Sequence, residues 1–407
     1  AGRPTRRAAG VGPARRGAIG AVSIASPEPI AMDRPIYLDH NASAPVKPEV
    51  AATMAEALAD RGNPSSVHRF GRVARRRVED ARERVAALVG AGPEAVIFTS
   101  GGSEANALAL SLAGGRPALV GATEHDSILK AAPQAARVPV DGNGIIRGAA
   151  LRTLLEQAGG PAFVSIQLAN NETGVIQPIV ELAEMVHGTG GFLHVDAAQA
   201  PGRIGLDAAA LGADAITLSA HKIGGPQGVG ALVLLAGLAP APLIRGGGQE
   251  RGWRAGTENV PGIAGFGRSA ELAAHDLQRA PELEALRDSL ERRILELAPA
   301  AIVYGSASPR LPNTSCIGMP GVDSETQVVS FDLAGIAVSA GSACSSGKLR
   351  RSGVLEAMGA GPEEAGSAVR VSLGPSTGAA ELDRFCEAWA ALYRRLGAGR
   401  GVRERAG

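Results

Sequence analysis

The chain carries four lysines, Lys47, Lys130, Lys222 and Lys348, against 37 arginines, so a lysine at the end of a buried strand is a candidate for chemistry. Lys222 is that lysine. It follows the strand-like run Ala215-Ile216-Thr217-Leu218, inside Ser219-Ala220-His221-Lys222-Ile223-Gly224-Gly225-Pro226. Partial burial beside a cationic neighbour lowers an amine's pKa toward the range where its neutral form attacks a carbonyl. Asp196 ends a second such run, Phe192-Leu193-His194-Val195, and the stretch from there to Lys222 is long enough for one helix-containing crossover back to the same sheet end. A carboxylate there can hold a pyridinium nitrogen protonated. Upstream, Thr99-Ser100-Gly101-Gly102-Ser103-Glu104 sets glycines and hydroxyls at a helix start, where free N–H groups and the helix dipole attract a phosphate.

Cys344 lies in Ser339-Ala340-Gly341-Ser342-Ala343-Cys344-Ser345-Ser346-Gly347, small residues that build no packed element and so read as an exposed loop carrying a thiol. Cys316, among strand-like residues, and Cys386, in the last helix, read instead as small buried hydrophobes. Taken singly, Lys222 is a strand-end surface lysine, Asp196 a helix cap and the glycine turn an ordinary helix start. Their occurrence in one chain, in this order, is what points to chemistry.

The elements that must position these groups are legible from hydrophobic patterning. Pro48 to Ala59 and His68 to Val89 read as helices, and short apolar strands read at 95–99, 118–122, 163–169, 192–195, 215–218 and 229–235, with helical stretches between most of them. Continuous apolar strands separated by helices predict an α/β fold, a mainly parallel sheet with helices on both faces and ligands bound beyond the strands' carboxyl ends. After about Pro261 a long charged helical stretch reaches Leu297. Short strands follow near Ile302, Thr314, Val338 and Val369, then a final helix from Ala380 to Leu396, which reads as a smaller α+β domain. The expected division is a large domain over 47–260 and a small one built from 34–46 and 261–407.

Composition narrows the partners. The 407 residues are 45% hydrophobic, 20% charged and 3% aromatic, with a formal net charge of +1. That balance argues against direct nucleic-acid binding, and so few aromatics leave little for base stacking. The apolar run from Val229 to Ile244 is too short to span a bilayer and is broken by Pro240 and Pro242. Three scattered cysteines make neither a disulfide framework nor a zinc site, so no metal is expected and a reducing cytoplasmic setting fits. Residues 1–27 hold five arginines and no acidic residue, and a disordered basic extension is predicted over 1–33. Glycines and prolines there oppose a transit-peptide helix, and Met32, just before Pro35-Ile36-Tyr37-Leu38, reads as the natural start.

From Tyr37 to the last helix the chain resembles the pyridoxal-phosphate-dependent cysteine desulfurases of the NifS/IscS type, in the class V aminotransferase group. The resemblance rests on Tyr37-Leu38-Asp39-His40-Asn41-Ala42, Gly62-Asn63-Pro64-Ser65-Ser66-Val67-His68, Thr99 to Glu104, Ala122-Thr123-Glu124-His125, Asn170-Asn171-Glu172-Thr173-Gly174, Val195-Asp196-Ala197-Ala198-Gln199, Ser219-Ala220-His221-Lys222, Arg254-Ala255-Gly256-Thr257-Glu258-Asn259, the Cys344 loop and Arg370-Val371-Ser372-Leu373-Gly374. It implies a fold type I enzyme in which Lys222 forms a Schiff base with pyridoxal 5'-phosphate, Asp196 pairs with the ring nitrogen and His125 stacks on the ring. It further implies that Gln199 and Asn171 contact the ring oxygen side, and that Gly102, Ser103, Ser219 and His221 cradle the phosphate. Thr257 would reach that phosphate from the other subunit of a homodimer, and Asn41 and Arg370 would hold the carboxylate of L-cysteine. Cys344 would take the sulfur as a persulfide, with His125 handling a thiol proton, for transfer to a protein acceptor such as an iron–sulfur scaffold.

Two stretches depart from the common pattern: Arg351-Ser352-Gly353 follows the Cys344 loop where many relatives have Pro-Ser-His or Pro-Ser-Tyr, and Ser43 and Ala44 replace paired threonines. The alternatives are a selenocysteine lyase or another class V aminotransferase or lyase on the same scaffold, and, from a different class, a non-catalytic assembly partner. Loss of Lys222 or Asp196 would mark the last, and both are present.

Overall fold

A computed structural model describes Gly2 and residues 35–235, 237–341 and 351–397. The basic extension expected over 1–33 lies, Gly2 apart, outside the described residues, and so does Cys344. The described residues from Pro35 onward belong to one compact unit.

Seven strands form the large sheet, in the spatial order Val96–Thr99, Gly230–Leu234, Ala215–Ser219, Phe192–Asp196, Phe163–Gln167, Ala118–Gly121 and Ala136–Val138. Gly230–Leu234 runs antiparallel to both of its neighbours, and the remaining pairings are parallel. The five strands at the centre of the chemistry are buried almost throughout, as a sheet covered by helices on both faces requires. Ala136–Val138, with two of its three residues exposed, carries too little apolar signal to read as a strand, and it takes the edge.

The helices show why they cover this sheet. Along Arg69–Leu88, Gly71, Ala74, Val78, Ala81, Arg82 and Val85 are buried at three- and four-residue spacing, while the remaining arginines and glutamates face solvent. Its partner is Val260–Asp276, capped by the Asn259 side chain, which accepts from Gly262 N. Gly267 lies so close to the Ala81 backbone that a Cβ would come within 2.6 Å of its Cα, so the two helices approach this closely only with glycine there. The long charged stretch is two helices: a 3-10 turn, Leu277–Arg279, joins Val260–Asp276 to Ala280–Leu297.

A second, antiparallel sheet orders Ser339–Ala340, Ala368–Ser372, Thr314–Gly318 and Ile302–Val303. Its apolar side packs around Trp389, Phe385, Phe331 and Leu38 in a core separate from that of the large sheet. Near the start of the described chain, Ile36–Tyr37 pairs in parallel with Ile336–Ala337, which delivers Asp39 to Ala42 to the junction of the two sheets. No described helix is long and apolar enough to cross a membrane.

Candidate active site

Two walls meet at the carboxyl ends of the large sheet. Asp196 closes its strand opposite Thr217, and the neighbouring strand runs through Ser219 into the 3-10 turn Ala220–Lys222. Asp196, Ser219, His221 and Lys222 therefore share one sheet end. Asp196 is buried, with Oδ1 accepting from Ala198 N at 3.0 Å and Oδ2 from Asn106 Nδ2 at 2.8 Å. Ser219 Oγ is buried without a hydrogen-bond partner among the described residues. It faces Gly102, where a Cβ would sit 3.7 Å from it, and Gly102 opens the helix Gly102–Leu110. The first N–H groups of that helix have no intrahelical acceptor, and Ser103 is exposed in its first turn. Burial, and then the Lys222 charge, push the His221 ring down to about 4, so it stays neutral. Lys222 Nζ donates to Asn41 O at 2.6 Å and Ala42 O at 3.1 Å.

The second wall comes from the segment after Ile36–Tyr37 and from the small sheet. Asn41 is fully buried; its Nδ2 donates to Asn171 O (3.1 Å) and Thr314 Oγ1 (2.9 Å), and its Oδ1 accepts from Asn313 Nδ2 (3.2 Å). Arg370, also buried, donates to Asp39 Oδ1 at 2.6 Å and Asn171 O at 3.1 Å. Its Nε is a buried donor without a partner among the described residues. Gln199 joins the walls, its Nε2 donating to Asn41 O at 3.0 Å while Oε1 accepts from Arg203. His125 caps the short helix Asp126–Leu129 by accepting from Ser127 N at 3.1 Å. Thr257 is exposed beside Thr99 and Ser100, with which it lines a cleft of about 260 Å³. Cys316 and Cys386 are buried, and burial raises both thiols. Among the described residues no group of three or more His, Cys, Asp or Glu could hold a metal ion.

The groups around Lys222 suit an anionic aromatic aldehyde. An unpartnered buried hydroxyl and a helix start fit a phosphate, Asp196 fits a protonated ring nitrogen, and Lys222 fits the carbonyl. Several residues of these walls escape a reading of the sequence. Asp39 and Glu172 pair with side chains far along the chain, at Arg370 and Ser352. Arg203 is a buried guanidinium bonded to carbonyl oxygens of Gln199, His40 and Lys222, and burial with the nearby Arg370 charge lowers it to about 9. Asn106 did leave a signal: it is the one polar residue on the buried side of Gly102–Leu110.

A mainly parallel, mixed-sheet α/β scaffold with a strand-end lysine and aspartate beside a helix start is the architecture of a fold type I pyridoxal-phosphate enzyme. The aminotransferase class-V model matches residues 36–385. A cysteine desulfurase of Cereibacter sphaeroides is 42% identical over 367 residues, covering 86% of this chain and 94% of that protein. A NifS-like protein from Rickettsia africae superposes with a TM-score of 0.83 at 34% identity, over 89% of this chain and 100% of its own. A structure described as SspA in complex with cysteine gives 0.71 at 28% identity, over 84% and 99%. The chain belongs to the aminotransferase class-V family, in its cysteine desulfurase branch. Members of this family depend on pyridoxal phosphate.

Proposed function

We propose that the protein removes sulfur from L-cysteine with bound pyridoxal 5'-phosphate, leaving L-alanine and a persulfide on Cys344. The observation that carries this reading is the meeting of Lys222 and Asp196 at one sheet end, with Arg370 reaching from the small sheet to Asn171 O beyond the neighbouring strand, in a chain whose relatives are named cysteine desulfurases. When bound, pyridoxal phosphate supplies an electron sink at the substrate α-carbon. The chain does the rest. Lys222 would hold the cofactor covalently and serve as the base for the substrate's α-proton. Asp196 would keep a proton on the ring nitrogen, and His125 would lie against the ring. Gln199 and Asn171 would contact the ring oxygen side. Gly102, Ser103, Ser219 and His221 would hold the phosphate, with Thr257 of a second subunit. Arg370 and Asn41 bind the substrate carboxylate, Arg370 through charge-assisted hydrogen bonds.

In the sulfur step the Cys344 thiolate attacks the substrate sulfur. An S–S bond forms, the C–S bond breaks with its electron pair going to the carbon skeleton, and protons returned to that skeleton complete alanine. A thiol is only a few per cent thiolate at neutral pH, so a proton must leave it, and His125 is the group we assign to that proton. We further propose a cytoplasmic homodimer that passes the persulfide sulfur to a protein acceptor such as an iron–sulfur scaffold. We also propose a large domain over 47–260 and a small one over 34–46 and 261–407; the core around Leu38, Phe331, Phe385 and Trp389 supports the small one, while Ile263, Phe266, Val354, Leu355 and Ala368 pack into the core of the large sheet.

The test is to measure sulfide and alanine released from L-cysteine by the cofactor-loaded protein with a reductant present, beside Cys344→Ala. Equal amounts of both products from the parent and neither from the variant, with the bound cofactor's visible absorbance retained, is the expected result. A variant as active as the parent overturns the role of Cys344 and moves a lyase reading ahead.

A further inference from the structure

Between Asp196 and His125 stands a bridge that the assigned roles leave unused. Asn106, 2% exposed, sits on the inner face of the helix Gly102–Leu110. Its amide nitrogen donates to Asp196 Oδ2 at 2.8 Å and to Ser127 Oγ at 2.8 Å. Both hydrogens of the amide are thereby committed. The orientation is forced, because turning the amide over would set its oxygen against the Asp196 carboxylate. Ser127 Oγ, accepting from Asn106, lies 2.8 Å from His125 Nδ1, and the Ser127 backbone N–H donates to the same nitrogen at 3.1 Å. A backbone N–H can only donate, so His125 Nδ1 carries a lone pair and the hydroxyl hydrogen turns toward it as well.

We propose that Asn106 and Ser127 are positioning residues that tie His125 to the Asp196 carboxylate and hold the neutral ring in the tautomer with its hydrogen on Nε2. The ring then meets the site as an N–H donor. It can accept a proton at Nε2 only after its hydrogen moves to Nδ1, at which point the Ser127 amide loses its acceptor, so the bridge sets the terms on which His125 handles a proton. Asp196 Oδ2 and Ser127 Oγ share one donor, Asn106, and Ser127 in turn contacts the ring, so a change at either end is felt at the other. The inference rests on the proposed function for its catalytic meaning, while its geometry stands without it.

The experiment is nitrogen NMR of histidine-labelled full-length protein, with the His125 signals assigned by His125→Gln, in the parent, Ser127→Ala, Ser127→Thr and Asn106→Ala. In the parent, Nδ1 is expected to resonate as the unprotonated nitrogen and Nε2 as the protonated one. Ser127→Ala should move the tautomer ratio about five-fold toward Nδ1–H, the size of one net hydrogen bond, and Ser127→Thr, which keeps the hydroxyl, should restore it. Asn106→Ala should perturb both ends, shifting the His125 signals and, in the cofactor-loaded protein, the visible band that Asp196 tunes. A parent ring carrying its hydrogen on Nδ1 overturns the proposal, as do His125 signals unmoved in Ser127→Ala or in Asn106→Ala. Ser127, half-buried in the first turn of a four-residue helix, is readily replaced without unfolding the chain, so its variants report even if Asn106→Ala does not fold. The NMR readout needs no turnover: correct tautomers in a protein that releases no sulfide sink the desulfurase reading alone, and the converse result sinks the bridge alone.

Discussion

The two walls of the site handle burial of polar groups differently. On the large-sheet wall, buried histidines are kept neutral: His194 lies between Ser165 Oγ and Thr217 Oγ1, both at 2.9 Å, and burial lowers it to about 4, as it does His221. Against the other wall, bonded to Ser352, a carboxyl is raised into the neutral range. Glu172, 6% exposed, receives a hydrogen bond from Ser352 Oγ at 2.5 Å, and burial raises it to about 7 against the pull of Ser352 and Arg370. The first wall therefore keeps its histidines uncharged through the physiological range, whereas the second changes charge within it. Glu172 and Ser352 crowd Gly341 so closely that a Cβ there has no room, so this titrating carboxyl touches both chain ends that flank residues 342–350.

Removing the permanent charge of the second wall should do the most damage. Arg370→Ala leaves Asp39, among the described residues, with only the Ser339 hydroxyl as a side-chain partner, which donates to Asp39 Oδ2 at 2.7 Å, and deletes the proposed carboxylate anchor. Breaking one side of a buried ion pair costs about 3–5 kcal/mol. We expect a loss of at least about 10²-fold in kcat/KM for cysteine, carried mainly by KM. Arg370→Lys keeps the charge without the planar fork and should recover part of it. Steady-state kinetics on both variants checks this, and an unchanged KM in Arg370→Ala would separate the residue from substrate binding.

The next effect is on stability against pH, where Glu172 and the buried histidines oppose each other. Glu172 has a folded pKa of about 7, above its ordinary 4.5, so the native state holds the extra proton between these values. Its contribution is fully present below pH 4.5 and is lost as pH rises through 7, about 3 kcal/mol in all. The groups facing it are Arg370 and His125, which favour its ionised form, and Asp126, which disfavours it. His40, His194 and His221 act with the reverse sign: held near 4 in the fold, they stabilise above 6.5 and cease to as pH falls through 4. Glu172→Gln should therefore gain stability relative to the parent at pH 8 and little at pH 4, as urea melts at the two pH values would show. A gain of equal size at both would mean that Glu172 does not titrate where its burial places it.

The contrast between the walls also explains what could be read in advance. Asp196 and Lys222 are legible because each ends a continuous apolar strand, and strand ends gather at one edge of a parallel sheet whatever the details. The large-sheet strands are legible for the same reason, although their order is not: nothing local reveals that Gly230–Leu234 inserts antiparallel between Val96–Thr99 and Ala215–Ser219. The second wall has no such rule. Asp39 meets Arg370 across 331 positions and Glu172 meets Ser352 across 180, so only the folded chain brings them together. Ser127 and Asn106 fall between these cases, since a serine two residues after a histidine and a lone buried amide in an apolar helix are visible as oddities, but their shared partner is not.

The smallest expected effect isolates the contact that holds Glu172 in place. Ser352 Oγ donates to Glu172 Oε2 and accepts from Leu355 N, at 3.1 Å, as the cap of the helix Gly353–Ala357. Losing such a cap costs about 1 kcal/mol, and because the hydroxyl favours the ionised carboxyl, its removal also moves the Glu172 titration upward. Ser352→Ala should thus be mildly destabilised at pH 5 and more so at pH 8, where the parent retains a donor for the charged carboxyl and the variant does not. Ser352→Thr, with the same hydroxyl, should track the parent at both. If Ser352→Ala loses the same amount at each pH, the hydroxyl serves the helix alone, and the pH response of the second wall belongs to burial of Glu172 without help from its partner.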